Sequence, residues 1–380
     1  MKQQGWLSTN FFAFFFTWGI FLPYWTGWLV SEKDLTVAAA STVIAAGLFA
    51  RSFSTLFLFP ALTKHFSLSV LIKLMPALSF LLLLLFIPAE SFSALLAVMV
   101  IYSLFYPTIL PLMESNATVL MKTNRINYGR SRSWGSAGYT VSLIAIGITT
   151  DLWSESSILA AMMIGSLFLA ACALRPAPDA LKEKIAPQIG GYRAIFKTKG
   201  FLIVLTICVL IQGAHAAYYS YGFIYLQELN VSSVYIGLIL NIAVLSEILF
   251  FAVADRLLKR TSVATMFIIA GMASVIRWLL VGLFPSLWLF IFTQAFHSMT
   301  FGLAHYAFIN YVYRAVDKHL LPTAQGLYAS VGMGFSTALL TSAGGYLYEV
   351  SPGLSFIGMS AAVLPAVFLG VLLKGRKLSY

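Results

Sequence analysis

Long apolar runs separated by short polar breaks dominate the chain. They fall near residues 8–30, 36–59, 69–88, 91–113, 133–151 and 156–174, and again near 199–226, 233–254, 263–281, 285–310, 322–348 and 353–373. Each is close to the roughly 20 residues a helix needs to cross the hydrocarbon of a bilayer. Between the two sets of six lies the longest polar connection, residues 175–198 (RPAPDALKEKIAPQIGGYRAIFKT), rich in Pro, Gly and charge. The pattern predicts an all-α membrane protein of twelve transmembrane helices in two pseudo-symmetric six-helix halves, 1–174 and 199–380. Met1-Lys2 leads straight into apolar sequence with no small-residue cleavage site, so the first run reads as a span.

Composition agrees with the pattern. Of 380 residues 60% are hydrophobic and only 10% charged, where a soluble domain is about a quarter charged. The twelve runs use nearly the whole chain, leaving no stretch long enough for a separate extramembrane domain. Cys172 and Cys208 each sit in an apolar run and make neither a disulfide framework nor a metal-type spacing.

Charge adds an orientation. The formal charge is +11, but the basic residues are scattered between apolar runs rather than gathered on one face, which argues against a nucleic-acid partner. Apart from Lys33, Arg51 and Arg277, all 24 Lys and Arg fall in the termini and alternate loops, including Lys2, Lys64, Arg125, Arg130, Lys184, Arg193, Lys259, Arg314, Arg376 and Lys377. Because cytoplasmic loops carry the basic excess, both termini and the central linker are predicted to be cytoplasmic. The opposite loops carry Glu32, Asp34, Glu90, Asp151, Glu155, Glu228 and Glu349.

A few polar groups interrupt the apolar runs. Arg51, Glu114, Glu247 and Arg277 would each cost about 2.5 to 3.5 kcal/mol at mid-bilayer on the insertion scale, so they are expected to face a partner or a wet cavity. Arg51 can also reach the inner boundary by snorkelling, which suits a structural or gating role. His215, His297 and His305 join them; His297 and His305 fall on one helix face. A His and Glu group can carry a proton. No HExxH or Cys/His cluster accompanies these residues, so neither a metal nor another cofactor is expected.

Several stretches resemble a known family. Six plus six runs, the central linker and ADRLLKR (Asp255, Arg256, Lys259, Arg260) resemble the major facilitator superfamily, in which such a loop gates the inner face. The matching place in the first half, LFPALTKHF, has Lys64 but no Asp. Closer still, YGRSRSWGSAGY (128–139), LIQGAHAAYYSYGFIY (210–225), SEILFF (246–251) and IRWLL (276–280) resemble the phenylpropionate permease family, a relative of lactose permease. The resemblance implies a major facilitator fold in a bacterial inner membrane. By position it also implies that Glu114, Arg132 and Tyr139 match the lactose carrier's substrate-holding carboxylate, arginine and aromatic ring, and that Glu247, Arg277 and His297 match its Glu, Arg and His. Where that carrier has a Lys before the His and a Glu after it, this chain has Gln294 and Thr300. Proton coupling would then fall to Glu247 with His297, or to His215.

Secondary transport is the function these readings favour, and no Walker motif suggests ATP as the energy source. For an aromatic carboxylate one expects an arginine, Arg132 or Arg277, and ring walls such as Tyr139, Tyr218, Tyr219, Tyr221, Trp18 and Trp25. For a sugar or nucleoside, Glu114, Arg132 and Tyr139 serve equally well. The family resemblance favours an aromatic acid such as 3-phenylpropionate over a galactoside-like sugar or a nucleoside. A membrane-embedded enzyme using the three histidines and Glu247 is the remoter alternative, and a sensor without transport would leave the twelve-run alternation unexplained. The expected partners are a small-molecule substrate, protons and membrane lipid, and the expected state is a monomer.

Overall fold

The computed structural model describes residues 3–124, 126–183 and 191–375, without the side chains of 123 and 124. Lys2, Arg125, Lys184, Arg376, Lys377 and residues 184–190 of the linker therefore lie outside the described residues. Among those described, the apolar runs form twelve long helical rods. They are α1 (Gln3–Glu32), α2 (Val37–His65), α3 (Leu68–Phe86), α4 (Phe92–Lys122), α5 (Tyr128–Trp153), α6 (Ser156–Leu174), α7 (Phe201–Glu228), α8 (Ser233–Leu257), α9 (Val263–Leu283), α10 (Leu287–Ala315), α11 (321–350) and α12 (Pro352–Gly375).

Ten of these rods are long and apolar enough to cross a membrane on composition alone. The other two are α5 and α11. In α5 the first turns carry Arg130 and Arg132 and the last carries Asp151, with Ser, Thr and Gly between, which lowers its mean hydropathy. α11 is rich in Gly, Ser and Thr and passes through a π-helical stretch at Tyr328–Phe335. Small residues allow close helix packing, and helices that pack on neighbours rather than on lipid need less apolar surface.

The α1–α5 seam shows that packing. A Cβ on Gly138 would overlap the Phe12 carbonyl oxygen, so only glycine permits this approach, and one on Gly19 would displace the Ser142 hydroxyl. Large apolar side chains, among them Leu81, Ile164, Leu249 and Phe368, are exposed on the outer faces of the rods, as suits helices of this length and hydropathy.

The contacts group the chain into two compact units. One comprises Met1–Thr36, Ala46–Pro187 and Ser232–Leu238; the other comprises Val37–Ala45, Gln188–Val231 and Ile239–Tyr380. Glu114 and Arg132 belong to the first unit, and His215, Glu247, Arg277 and His297 to the second.

Candidate functional site

In the first unit, α4 turns at Tyr106–Thr108, where Pro107 lacks an N–H for the helical ladder, and resumes at Ile109 to carry Glu114. Arg132 lies one turn beyond Tyr128 on α5, so both side chains point the same way. They converge on Glu114: Arg132 Nε stands 3.5 Å from Oε1, and the Tyr128 hydroxyl donates to Oε2 at 2.8 Å. The Arg132 guanidinium lies 4.1 Å from the centre of the Phe15 ring and 5.8 Å from that of Phe11. One turn along, the Arg51 guanidinium lies 5.1 Å from the Trp18 ring. Phe11, Phe15 and Trp18 are spaced four and three apart, so one face of α1 presents aromatic rings to two arginines.

Tyr139 flanks the Gly19 contact on the α1–α5 seam. Trp25 is fully buried against Trp28 and Phe86, in a cluster that also holds Phe21, Tyr102 and Tyr106.

The second unit holds a denser constellation, built where two helices break. In α7 the His215 backbone N–H bonds the Gln212 carbonyl, and the ring Nδ1 takes the Ile211 carbonyl at 3.0 Å instead. The side chain thus replaces one rung of the ladder. In α10 the helix stops at Gln294, turns, and continues as a π-helical segment, Ser298–Gly302, that carries Thr300. Such interruptions reaim side chains and concentrate at functional sites.

Between these breaks sits Arg277 of α9, fully buried. Its Nη1 donates to His297 Nδ1 at 3.3 Å and to Thr300 Oγ1 at 3.1 Å. Thr300 Oγ1 is also 3.0 Å from His215 Nε2. On the other side of His297, Nε2 stands 3.7 Å from Glu247 Oε2. The Arg277 guanidinium lies 4.4 Å from the Trp278 ring centre and 5.1 Å from that of Tyr218. Nε and Nη2 are buried without a hydrogen-bond partner, and among the described residues Arg277 is in no ion pair.

Five of the residues singled out from sequence, His215, Tyr218, Glu247, Arg277 and His297, thus meet in one place. Tyr219 stacks on His215, whereas Tyr221 turns away to donate to the Thr341 carbonyl. His305 is half-buried and packs on Phe301, which itself stacks on His297; its Nδ1 lies 3.0 Å from the Tyr328 hydroxyl. Asp255 accepts a 2.8 Å bond from Tyr306, and Arg256, Lys259 and Arg260 are exposed. Sequence reasoning did not single out Tyr128, Phe11, Phe15 or Trp278. Helical spacing from Arg132 would have found Tyr128, and the aromatic row of α1 was legible as a row, but its use by arginines was not.

Twelve helical rods, two of them broken beside a buried arginine, together with a family and relatives that are transporters, define a multi-pass membrane transporter of small molecules rather than an enzyme. The chain belongs to the "MFS_1 like family", which matches residues 5–357. It is 29% identical to the "Probable 3-phenylpropionic acid transporter" of Escherichia coli (strain K12), over 97% of each chain. It is also 29% identical to the "Maltose permease" of Geobacillus stearothermophilus, over 76% of this chain and 74% of that one. In fold it matches the nucleoside transporter NupG with a TM-score of 0.81 at 18% identity, covering 99% of each chain. A POT family transporter matches with a TM-score of 0.79 at 10% identity, over 98% of this chain and 96% of that one.

Proposed function

We propose that the protein is a proton-coupled secondary transporter that takes up a small aromatic carboxylate, such as 3-phenylpropionate, across a bacterial inner membrane. The observation that carries this reading is Arg277. A buried guanidinium without a carboxylate partner is an unusual expense in a protein interior, and an anionic substrate relieves it. Its unpaired Nε and Nη2, both buried, lie on one edge of the fork and match the two oxygens of a carboxylate. Tyr218 and Trp278 beside it provide apolar faces for an aromatic ring. Arg132, the other arginine considered, already faces Glu114. The name of the Escherichia coli relative supports the same substrate class.

Glu247 and His297 are the coupling pair in this reading, because their facing atoms lie 3.7 Å apart and His297 in turn accepts from Arg277. Substrate charge and proton are then bound in neighbouring places. The transport halves are the six-helix sets 1–174 and 199–380, joined by the cytoplasmic linker 175–198 and working by alternating access. Cytoplasmic termini follow from the basic loops, and Asp255, Arg256 and Arg260 are assigned to the inner gate. The protein works as a monomer in contact with lipid.

A sugar is the second reading. It is favoured by the Glu114 carboxylate, held between Arg132 and Tyr128 and able to accept from hydroxyls, and by the maltose permease relative. Counterflow in proteoliposomes with labelled 3-phenylpropionate and labelled maltose, with and without a pH gradient, separates the two. Counterflow of the acid alone is the expected result, and counterflow of the sugar alone would overturn the proposal.

A further inference from the structure

Arg277 gives the protein only one of its three nitrogens. Nη1 makes both hydrogen bonds, to His297 Nδ1 and Thr300 Oγ1, and the Nε/Nη2 edge is buried without a partner. Something must hold the planar fork at that roll angle, because a guanidinium on a long side chain otherwise turns whichever edge finds acceptors.

The hydrogen-bond directions identify what does. His215 Nδ1 faces the Ile211 carbonyl, which only accepts, so Nδ1 carries the ring proton and Nε2 is an acceptor. Nε2 faces Thr300 Oγ1 at 3.0 Å and needs a donor, so the hydroxyl gives its single hydrogen to His215 rather than to the His297 carbonyl, 3.4 Å away. The lone pairs of Thr300 are then turned to accept from Arg277 Nη1. His297 accepts from the same Nη1 through Nδ1, which leaves its Nε2–H directed to Glu247. The π-helical segment Ser298–Gly302 sets Thr300 at that junction.

We infer that Thr300, oriented by His215, is a positioning residue for substrate specificity: it fixes Arg277 so that the Nε/Nη2 edge meets the two oxygens of a carboxylate. The inference rests on the reading of Arg277 as the carboxylate site and assigns the selection of acid over neutral analogue to a hydroxyl that touches no substrate. An acidic side chain at position 300 would instead neutralise Arg277 from within, whereas threonine supplies an acceptor and leaves the positive charge for the ligand. His215, with one ring nitrogen on a carbonyl and the other on Thr300, acts as the anchor of this arm, and proton transfer is left to His297 and Glu247.

The test is counterflow of labelled 3-phenylpropionate in proteoliposomes, with unlabelled acid and 3-phenylpropionamide as competitors. Thr300→Val keeps the side-chain shape and removes the hydroxyl. It is expected to raise KM for the acid about tenfold, the size of one hydrogen bond to a charged group, with the maximal rate little changed. The preference for acid over amide should fall by the same factor. Thr300→Ser restores both, and His215→Phe, which removes the acceptor behind the hydroxyl, gives the same rise in KM. Thr300→Glu abolishes competition by the acid and leaves competition by the amide. Should Thr300→Val fail to fold, His215→Phe and Thr300→Glu carry the test. Unchanged KM and unchanged acid preference in the folded variants would overturn the assignment alone, with Arg277 still the carboxylate site. Absence of phenylpropionate counterflow in the unmodified protein would overturn the substrate reading and this assignment together.

Discussion

The Arg132 guanidinium lies 4.1 Å from the centre of the Phe15 ring. A half-buried cation on an aromatic face is worth about 0.5 to 2 kcal/mol, depending on how much water reaches it. In a double-mutant cycle of Arg132→Gln and Phe15→Leu on thermal unfolding in detergent, the expected coupling energy lies in that range. Strict additivity would show that the ring only fills space.

Arg277→Lys keeps a positive charge but replaces the planar fork with a point charge. If the unpaired edge binds two carboxylate oxygens, KM for 3-phenylpropionate should rise about 10- to 100-fold, since a charged hydrogen bond is worth roughly 1.5 to 3 kcal/mol. Kinetics of uptake in whole cells, corrected for protein level, provide the measurement. An unchanged KM would remove the bidentate contact.

Glu247→Gln is expected to uncouple the transporter. Accumulation against a gradient should be lost, while counterflow, which needs no net proton movement, should persist. Vesicles with an imposed pH gradient distinguish the two, and full proton dependence in the variant would take Glu247 out of the coupling pair.

Gly138→Ala places a methyl group against the Phe12 carbonyl oxygen. Backbone offers no rotamer escape, so the seam must part, with an expected loss of about 1 to 3 kcal/mol, the usual cost of overpacking. The readout is the melting temperature of the purified protein. Gly222, which has no atom within 3.4 Å of such a methyl, is the control and should tolerate alanine with little change.

Orientation is open to labelling, because Cys172 and Cys208 are both buried and give little background. A cysteine replacing the exposed Lys259 should react with an impermeant maleimide only from the cytoplasmic side, and one replacing the exposed Glu90 only from the opposite side. Reversal of the two patterns would invert the topology.

The rods themselves were legible from the spacing of apolar runs, including α5 and α11, whose own composition is too polar to mark them as spans. Glu114, Arg132, Glu247 and Arg277 were also legible as residues out of place, because the energetic cost of a charge in an apolar run is a local property. Their uses were not. That Arg132 is shared between Glu114 and Phe15, while Arg277 keeps one edge unpaired, depends on residues far apart in the chain.

Sequence alone thus determined where the apolar runs and their polar breaks fall, which loops carry the positive charge, and which side chains are expensive to bury. Each of these follows from free energies of transfer that are nearly independent of neighbours. Only the tertiary structure decided that Thr300 stands between His215 and Arg277, and that Trp278 and Tyr218 flank the same guanidinium. Hydrogen bonds and ring contacts are set over a few ångströms, and the breaks in α7 and α10 fix those distances in a way that residue spacing along a regular helix cannot express.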